Sequence, residues 1–213
     1  MTNDPLDPNR LRMRLSRRML GAKLVENRWR GDLVEEIVKD TLARVGWKHC
    51  SENWNSWDFQ HEERQLKLQV KQAAQLQTWG ESKDVRFSVS PAKGYYEEGT
   101  IWRRLPFPQR LAELYVFAYH PLKDDTANHW DARQWRFHVW PEVDIPPGAR
   151  SVSLDFVQKK RPGQSEDLGL ILEHLGSQID QMAALVRPNG RTDDLLTGQR
   201  PAVDDVDPLG GAE

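Results

Sequence analysis

Asp58 in "WNSWDFQ", and Gln69 and Lys71 in "QLKLQVKQAA", have the types and spacing for metal-assisted hydrolysis. Residues 65–74 alternate polar and apolar, the period of a strand with one buried face. Leu66, Leu68 and Val70 then point one way and Lys67, Gln69 and Lys71 the other, with Gln69 and Lys71 about 7 Å apart. A turn at Glu63 and Arg64 would fold this strand against residues 57–62 and bring Asp58 to the same surface. A carboxylate, an amide oxygen and an ammonium would converge there. Mg2+ takes hard oxygen ligands and keeps several waters, so Asp58 and Gln69 could hold it. The metal would lower the pKa of a bound water and steady the charge on a phosphorane. Lys71 would orient that water or offset phosphate charge.

The elements that must position these residues are legible in outline. "GDLVEEIVKDTLARVGW" reads as a helix capped by Asp32 and ended by Gly46. With Val34 at zero on a wheel of about 100° per residue, Ile37, Val38, Leu42 and Val45 fall within about 80° of it. Glu35 lies near 100°, at the edge of that arc, and Glu36 near 200°, facing water. Downstream, "VRFSVS" reads as a strand, "PAKGYYEEGT" as a loop and "FPQRLAEL" as a short helix opened by proline. "LYVFAYH" is a near-continuous apolar run, as in a buried central strand, and "WRFHVWP" is another strand. "DLGLILEHLGSQIDQMAALV" reads as a helix striped by Leu168, Leu170, Ile171, Leu175, Ile179, Met182 and Leu185. The order predicts an α/β domain over residues 31–187, with a central mixed sheet of four to five strands flanked by helices. Residues 1–30 form a basic arm: an unpatterned start, then a basic helix interrupted near Gly21. Residues 188–213, rich in Gly, Pro and Asp, predict a disordered acidic tail.

Asp58 followed by Gln69, Val70 and Lys71 resembles the PD-(D/E)xK nuclease superfamily, the restriction-endonuclease-like fold. The variant is the one with glutamine for the second acid, similar to Mrr-type and Holliday-junction-resolvase-like proteins. The resemblance covers roughly residues 31–141. It implies that Asp58 and Gln69 bind Mg2+ or Mn2+ and that Lys71 is catalytic. It also implies an acidic residue four positions after a glycine on the first core helix, a spacing that Gly31 and Glu35 have. Trp57 stands where the family has proline. Gln69 lacks the charge of the family's acid, and Glu35 would restore it as a metal ligand.

The net charge of −2 conceals a segregation. Arg10, Arg12, Arg14, Arg17, Arg18, Lys23, Arg28 and Arg30 are opposed between residues 9 and 30 only by Glu26. Such a cluster predicts contact with DNA phosphates, the main source of nonspecific nucleic-acid affinity. Lys159, Lys160 and Arg161 form a second, smaller cluster. Beyond Pro188, Asp193, Asp194, Asp204, Asp205, Asp207 and Glu213 outweigh Arg191 and Arg200. No apolar run approaches the ~20 residues of a membrane span, and there is no signal-peptide core. With Cys50 as the one cysteine, no internal disulfide can form, which fits a reducing cytoplasm. Among the tryptophans, Trp57, Trp135 and Trp140 read as core, while Trp54, Trp79 and Trp102 could stack on bases.

The expected function is therefore a metal-dependent DNA endonuclease, and cleavage of both strands by one site per chain would favour a homodimer. The alternative is a catalytically inactive nuclease-fold protein that binds DNA or serves as a scaffold, because Gln69 weakens metal affinity. In a third reading, the N-terminal helix docks on a partner through Met13, Leu15, Leu20 and Leu24.

Overall fold

The computed structural model describes residues 7–50, 56–97, 101–159 and 169–186. The chain is α/β, built on a mixed five-stranded sheet of order β1-β2-β3-β9-β10. Its strands are β1 (Trp47–His49), β2 (Phe59–His61), β3 (Leu66–Ala74), β9 (Leu114–His120) and β10 (Arg136–Pro141). β3 and β9 run parallel; the other neighbours are antiparallel. Every residue of β9 is buried, as the apolar run requires of a strand covered on both faces. Between β3 and β9 the chain forms β4 (Leu76–Gln77), β5 (Gly80–Glu81), β6 (Arg86–Ser88), β7 (Ala92–Glu97) and β8 (Ile101–Gln109). β11 (Ser151–Ser153) pairs with β6.

One sheet face carries Leu66, Leu68, Val70, Leu114, Val116, Phe137 and Val139. It packs under α2 (Asn27–Ala43), through Val34, Val38 and Leu42, and α4 (Leu172–Leu185), through Leu175 and Ile179. The opposite face, with Ala73, Tyr115, Phe117 and Tyr119, meets Phe87 of β6, Val152 of β11 and Val157 of α3 (Leu154–Gln158).

Several elements differ from the sequence reading. α2 starts at Asn27, so the boundary between residues 30 and 31 falls inside it, and Asp32 is an interior residue rather than a cap. The cause is Arg30, which is buried and extends the row Val34, Val38, Leu42 back by one turn. Residues 92–97 are a strand, not a loop, and "FPQRLAEL" forms no helix: Phe107 to Gln109 end β8. Cross-strand pairs Tyr95↔Arg103 and Tyr96↔Trp102 stabilise this ribbon, as facing aromatic and long side chains do. The expected stripe of α4 is cut at both ends, because Ile171 and Leu185 are exposed. Leu168 and the 188–213 tail lie outside the described residues. α1 (Pro8–Leu20) ends at Gly21 as expected, and none of its residues is buried.

A buried polar network ties residues 23–30 to the sheet. Arg30 donates to Gln72 Oε1 (2.5 Å), Val25 O (3.4 Å) and Asn27 Oδ1 (2.9 Å). His129 Nδ1 accepts from the Val25 N–H at 2.9 Å, so Nε2, 3.2 Å from Leu76 O, carries the proton. Burial, the Arg30 charge and His120 hold His129 down at about 4, and burial also lowers His120. A neutral histidine in the fold that ionises near pH 6.5 when unfolded contributes stability fully present above pH 6.5, and that stability is lost as pH falls toward 4. In denaturant titrations His129 is expected to contribute a loss on the order of 2 kcal/mol between about pH 7.5 and pH 5. The loss should shrink in His129→Gln, even though that variant starts less stable.

Candidate functional site

The site begins where β2 and β3 part. The Asp58 N–H donates to Leu68 O at 3.0 Å, one residue before β2. Its carboxylate then turns inward: Oδ2 accepts from the Val70 N–H at 2.6 Å and from Gln69 Nε2 at 2.7 Å. Asp58 is buried, whereas Gln69 and Lys71 are only half-buried. Leu66, Leu68 and Val70 face the helices, so strand alternation sets Gln69 and Lys71 on the other face. Asp58 joins them there through its bond to Gln69.

Glu35 approaches from α2. Its side chain is 15% exposed, against 60% for Glu36, which pairs with Lys39 at 2.9 Å. The helix wheel drew this distinction. His49 Nε2 lies 3.0 Å from Glu35 Oε2, and its ring packs on Phe59 at 4.9 Å. His49 belongs to the three-residue strand β1, too short to carry a sequence pattern, and so its role was not readable beforehand.

The electrostatics couple these groups. Burial first, then the Glu35 charge, pushes Asp58 up to about 6, against the pull of Lys71, the Val70 N–H and the Gln69 amide. Burial lowers Lys71, while Asp58 and Glu35 raise it. Thus Asp58, Gln69, Lys71 and Glu35 act as one electrostatic unit. Tyr115, the Cα partner of Gln69 across β3 and β9, is a further neighbour that the sequence reading placed only in the core. Burial raises its phenol most, Arg110 lowers it, and Glu142, Asp58 and Glu113 raise it. Beside the site, the Lys67 ammonium sits 4.3 Å from the centre of the half-buried Trp57 ring.

Among the described residues, no three His, Cys, Asp or Glu side chains gather as a metal-holding group. What the structure brings into contact is one carboxylate and one amide, Asp58 and Gln69. Because Gln69 donates its Nε2 to Asp58 Oδ2, Gln69 Oε1 and Asp58 Oδ1 remain outside that bond.

The proposed phosphate-binding cations separate in space. Arg12, Arg14, Arg17 and Arg18 are exposed along α1, and Arg10 is half-buried. Lys23 Nζ is 3.5 Å from Asp125 O, and Arg28 pairs with Glu26 at 2.8 Å while remaining largely exposed. Arg30 must leave the set. It is 1% exposed, its guanidinium is spent on internal acceptors, and burial lowers it to about 10. Of the tryptophans, Trp135 and Trp140 are core, Trp79 and Trp102 are exposed, and Trp54 lies outside the described residues. So do Lys160 and Arg161. The chain matches no family model, no curated protein and no solved structure.

The raised carboxyl of Asp58 has a direct consequence. A group that titrates at 3.8 unfolded and about 6 folded contributes stability as the neutral acid, and that stability is lost as pH rises through 6. Asp58→Asn keeps an acceptor for Val70 and removes the charge. It is expected to stabilise the protein by on the order of 1–3 kcal/mol at about pH 7.5, and by much less at about pH 4. Melting curves at the two pH values check this. Equal destabilisation at both would mean that the two hydrogen bonds outweigh the charge.

Proposed function

We propose that this chain is a Mg2+- or Mn2+-dependent DNA endonuclease of the restriction-endonuclease-like class, with Asp58, Gln69, Lys71 and Glu35 as its site. The observation that carries the reading is the Asp58–Gln69 bond of 2.7 Å. It joins a carboxylate one residue before β2 to an amide of β3, on the sheet face that also carries Lys71. The donor chemistry fits a hard cation, which takes carboxylate and carbonyl oxygens. The burial and Glu35 charge that raise Asp58 describe negative charge with too little compensation, which a cation would relieve. Bound there, the ion would supply a Lewis acid and a water of lowered pKa.

The remaining tasks fall to the chain. Asp58 and Glu35 would hold the ion, each with its own support: the Val70 N–H and Gln69 amide for Asp58, and His49 for Glu35. Gln69 offers a neutral oxygen while its Nε2 fixes Asp58. Lys71 presents Nζ to a phosphate oxygen or to the attacking water. Because burial lowers its pKa, it holds its proton less tightly than a surface lysine. The cations of α1 supply the phosphate attraction, and a homodimer would place two sites on two strands. Among the described residues no helix is long and apolar enough to cross a membrane. The solitary Cys50 supports a cytoplasmic setting.

A second reading has its own observation. Since the Gln69 amide already donates to Asp58, the pair can be internally satisfied without a metal, as in an inactive DNA-binding or scaffold protein of the same fold. Plasmid incubated with Mg2+ separates the two. Lys71→Ala is expected to lose about 10²–10³-fold in cleavage rate, and Asp58→Ala to lose cleavage together with calorimetric Mg2+ binding. Cleavage that persists unchanged in Lys71→Ala overturns the site. Salt-dependent DNA binding by a wild-type chain that takes up no metal establishes the second reading.

A further inference from the structure

β7 and β8 form a two-stranded ribbon outside the central sheet. Neither hydrophobic cluster includes Tyr96, Ile101, Trp102 or Phe107. An isolated two-stranded ribbon is marginal in water, and this one displays large apolar groups: Ile101 is 47% exposed, Trp102 53% and Phe107 39%. Cations stand among them, with Lys93, Arg103 and Arg104 all exposed.

Its construction favours one kind of partner. Pro106 and Pro108 in β8 have no N–H to offer another strand, which blunts that edge against strand addition. Recognition is therefore left to the side-chain faces. On one of them Gly94, Tyr96, Trp102 and Arg104 stand together, since Gly94 faces Arg104 and Tyr96 faces Trp102. The indole is held in place: Tyr96 meets it edge-on at 5.0 Å, and a Cβ on Gly94 would come within 2.5 Å of its Cζ2. A fixed, half-exposed indole with an arginine two residues along is a platform for a base or sugar beside a phosphate, and a two-stranded ribbon is narrow enough to enter a DNA groove.

We propose that the β7–β8 ribbon is a second DNA-contacting element, in which Trp102 packs on nucleotides, Arg104 on the same face meets a phosphate, and Lys93, exposed at the register shift beside Gly94, meets another, with Arg103 adding positive charge. The choice of polymer rests on the DNA reading above; the metal site plays no part in it. The experiment is fluorescence anisotropy of labelled DNA with the full chain in EDTA, across a salt series, on duplex and single-stranded oligonucleotides in parallel. Trp102→Ala should weaken binding about tenfold, and Trp102→Phe, which keeps a ring over Gly94, should recover most of it. The Lys93→Ala, Arg104→Ala double variant should lower the slope of log K against log salt by about 2 for duplex. A larger Trp102 effect on single strands assigns the indole to bases, and an equal effect to the groove wall.

Unchanged affinity and slope in variants with native circular dichroism would overturn the ribbon's role, as would a wild-type chain that binds no DNA. Lys71→Ala should bind as wild type in EDTA. Ribbon variants that lose binding in a protein that never cleaves leave the ribbon standing without the nuclease. Ribbon variants that bind and cleave normally remove the ribbon alone.

Discussion

The Val70 N–H fixes the site. β3 is paired with β9 along one edge, and β2 stops opposite Leu68 on the other. Val70 is buried, so its donor needs a partner, because an orphaned N–H in the interior costs about 1–3 kcal/mol. Asp58 supplies the partner with its side chain after its own backbone has closed the last rung with Leu68. A ladder termination thereby becomes a buried carboxylate whose position is set by the main chain of the next strand. The Gln69 amide binds that fixed point, the Glu35 charge acts on it from α2, and Lys71 follows Gln69 two residues further along the same face.

The sheet makes this possible by treating its two faces unequally. Beneath α2 and α4, Leu66, Leu68 and Val70 are sealed. On the opposite face β6, β11 and α3 pack over Ala73 and the aromatic row of β9, while Lys67, Gln69 and Lys71 stay half-buried. Partial cover has an electrostatic effect: it desolvates the charged groups enough to shift Asp58 and Lys71 toward one another, yet leaves the polar ends within reach of a ligand. Full cover would require these charges to be paired or neutralised, and full exposure would return them to ordinary surface behaviour.

Legibility followed how local the determining physics is. The alternation of residues 65–74 depends only on strand periodicity, and the side of α2 that Glu35 takes depends only on helix angle, so both were readable. β1 and His49 were not, since three residues carry no period. The ribbon was misread because Gly94, Pro106 and Pro108 look like loop and helix-start signals. In the structure they accommodate an indole and blunt an edge. Arg30 misled for the opposite reason. Sequence charge says surface, but Gln72, Asn27 and Val25 supply acceptors for the guanidinium inside, which only the tertiary fold brings together.

Burying Arg30 also decides where the other cations can act. Its network fastens residues 23–30 to Gln72 and, through His129, to Leu76, at the C-terminal end of β3. The ribbon returns to the sheet at the other end: β8 finishes at Gln109, β9 starts at Leu114, and Leu114 lies beside Leu68. From Leu68 to Gln72 a strand advances about 13 Å, and Gln69 and Lys71 fall within that interval. The anchor of α1 and the root of the ribbon therefore leave from opposite ends of the strand that carries the site. A ligand held at both ends would span the strand whose half-buried polar face carries Gln69 and Lys71, with Asp58 bound to the first of them.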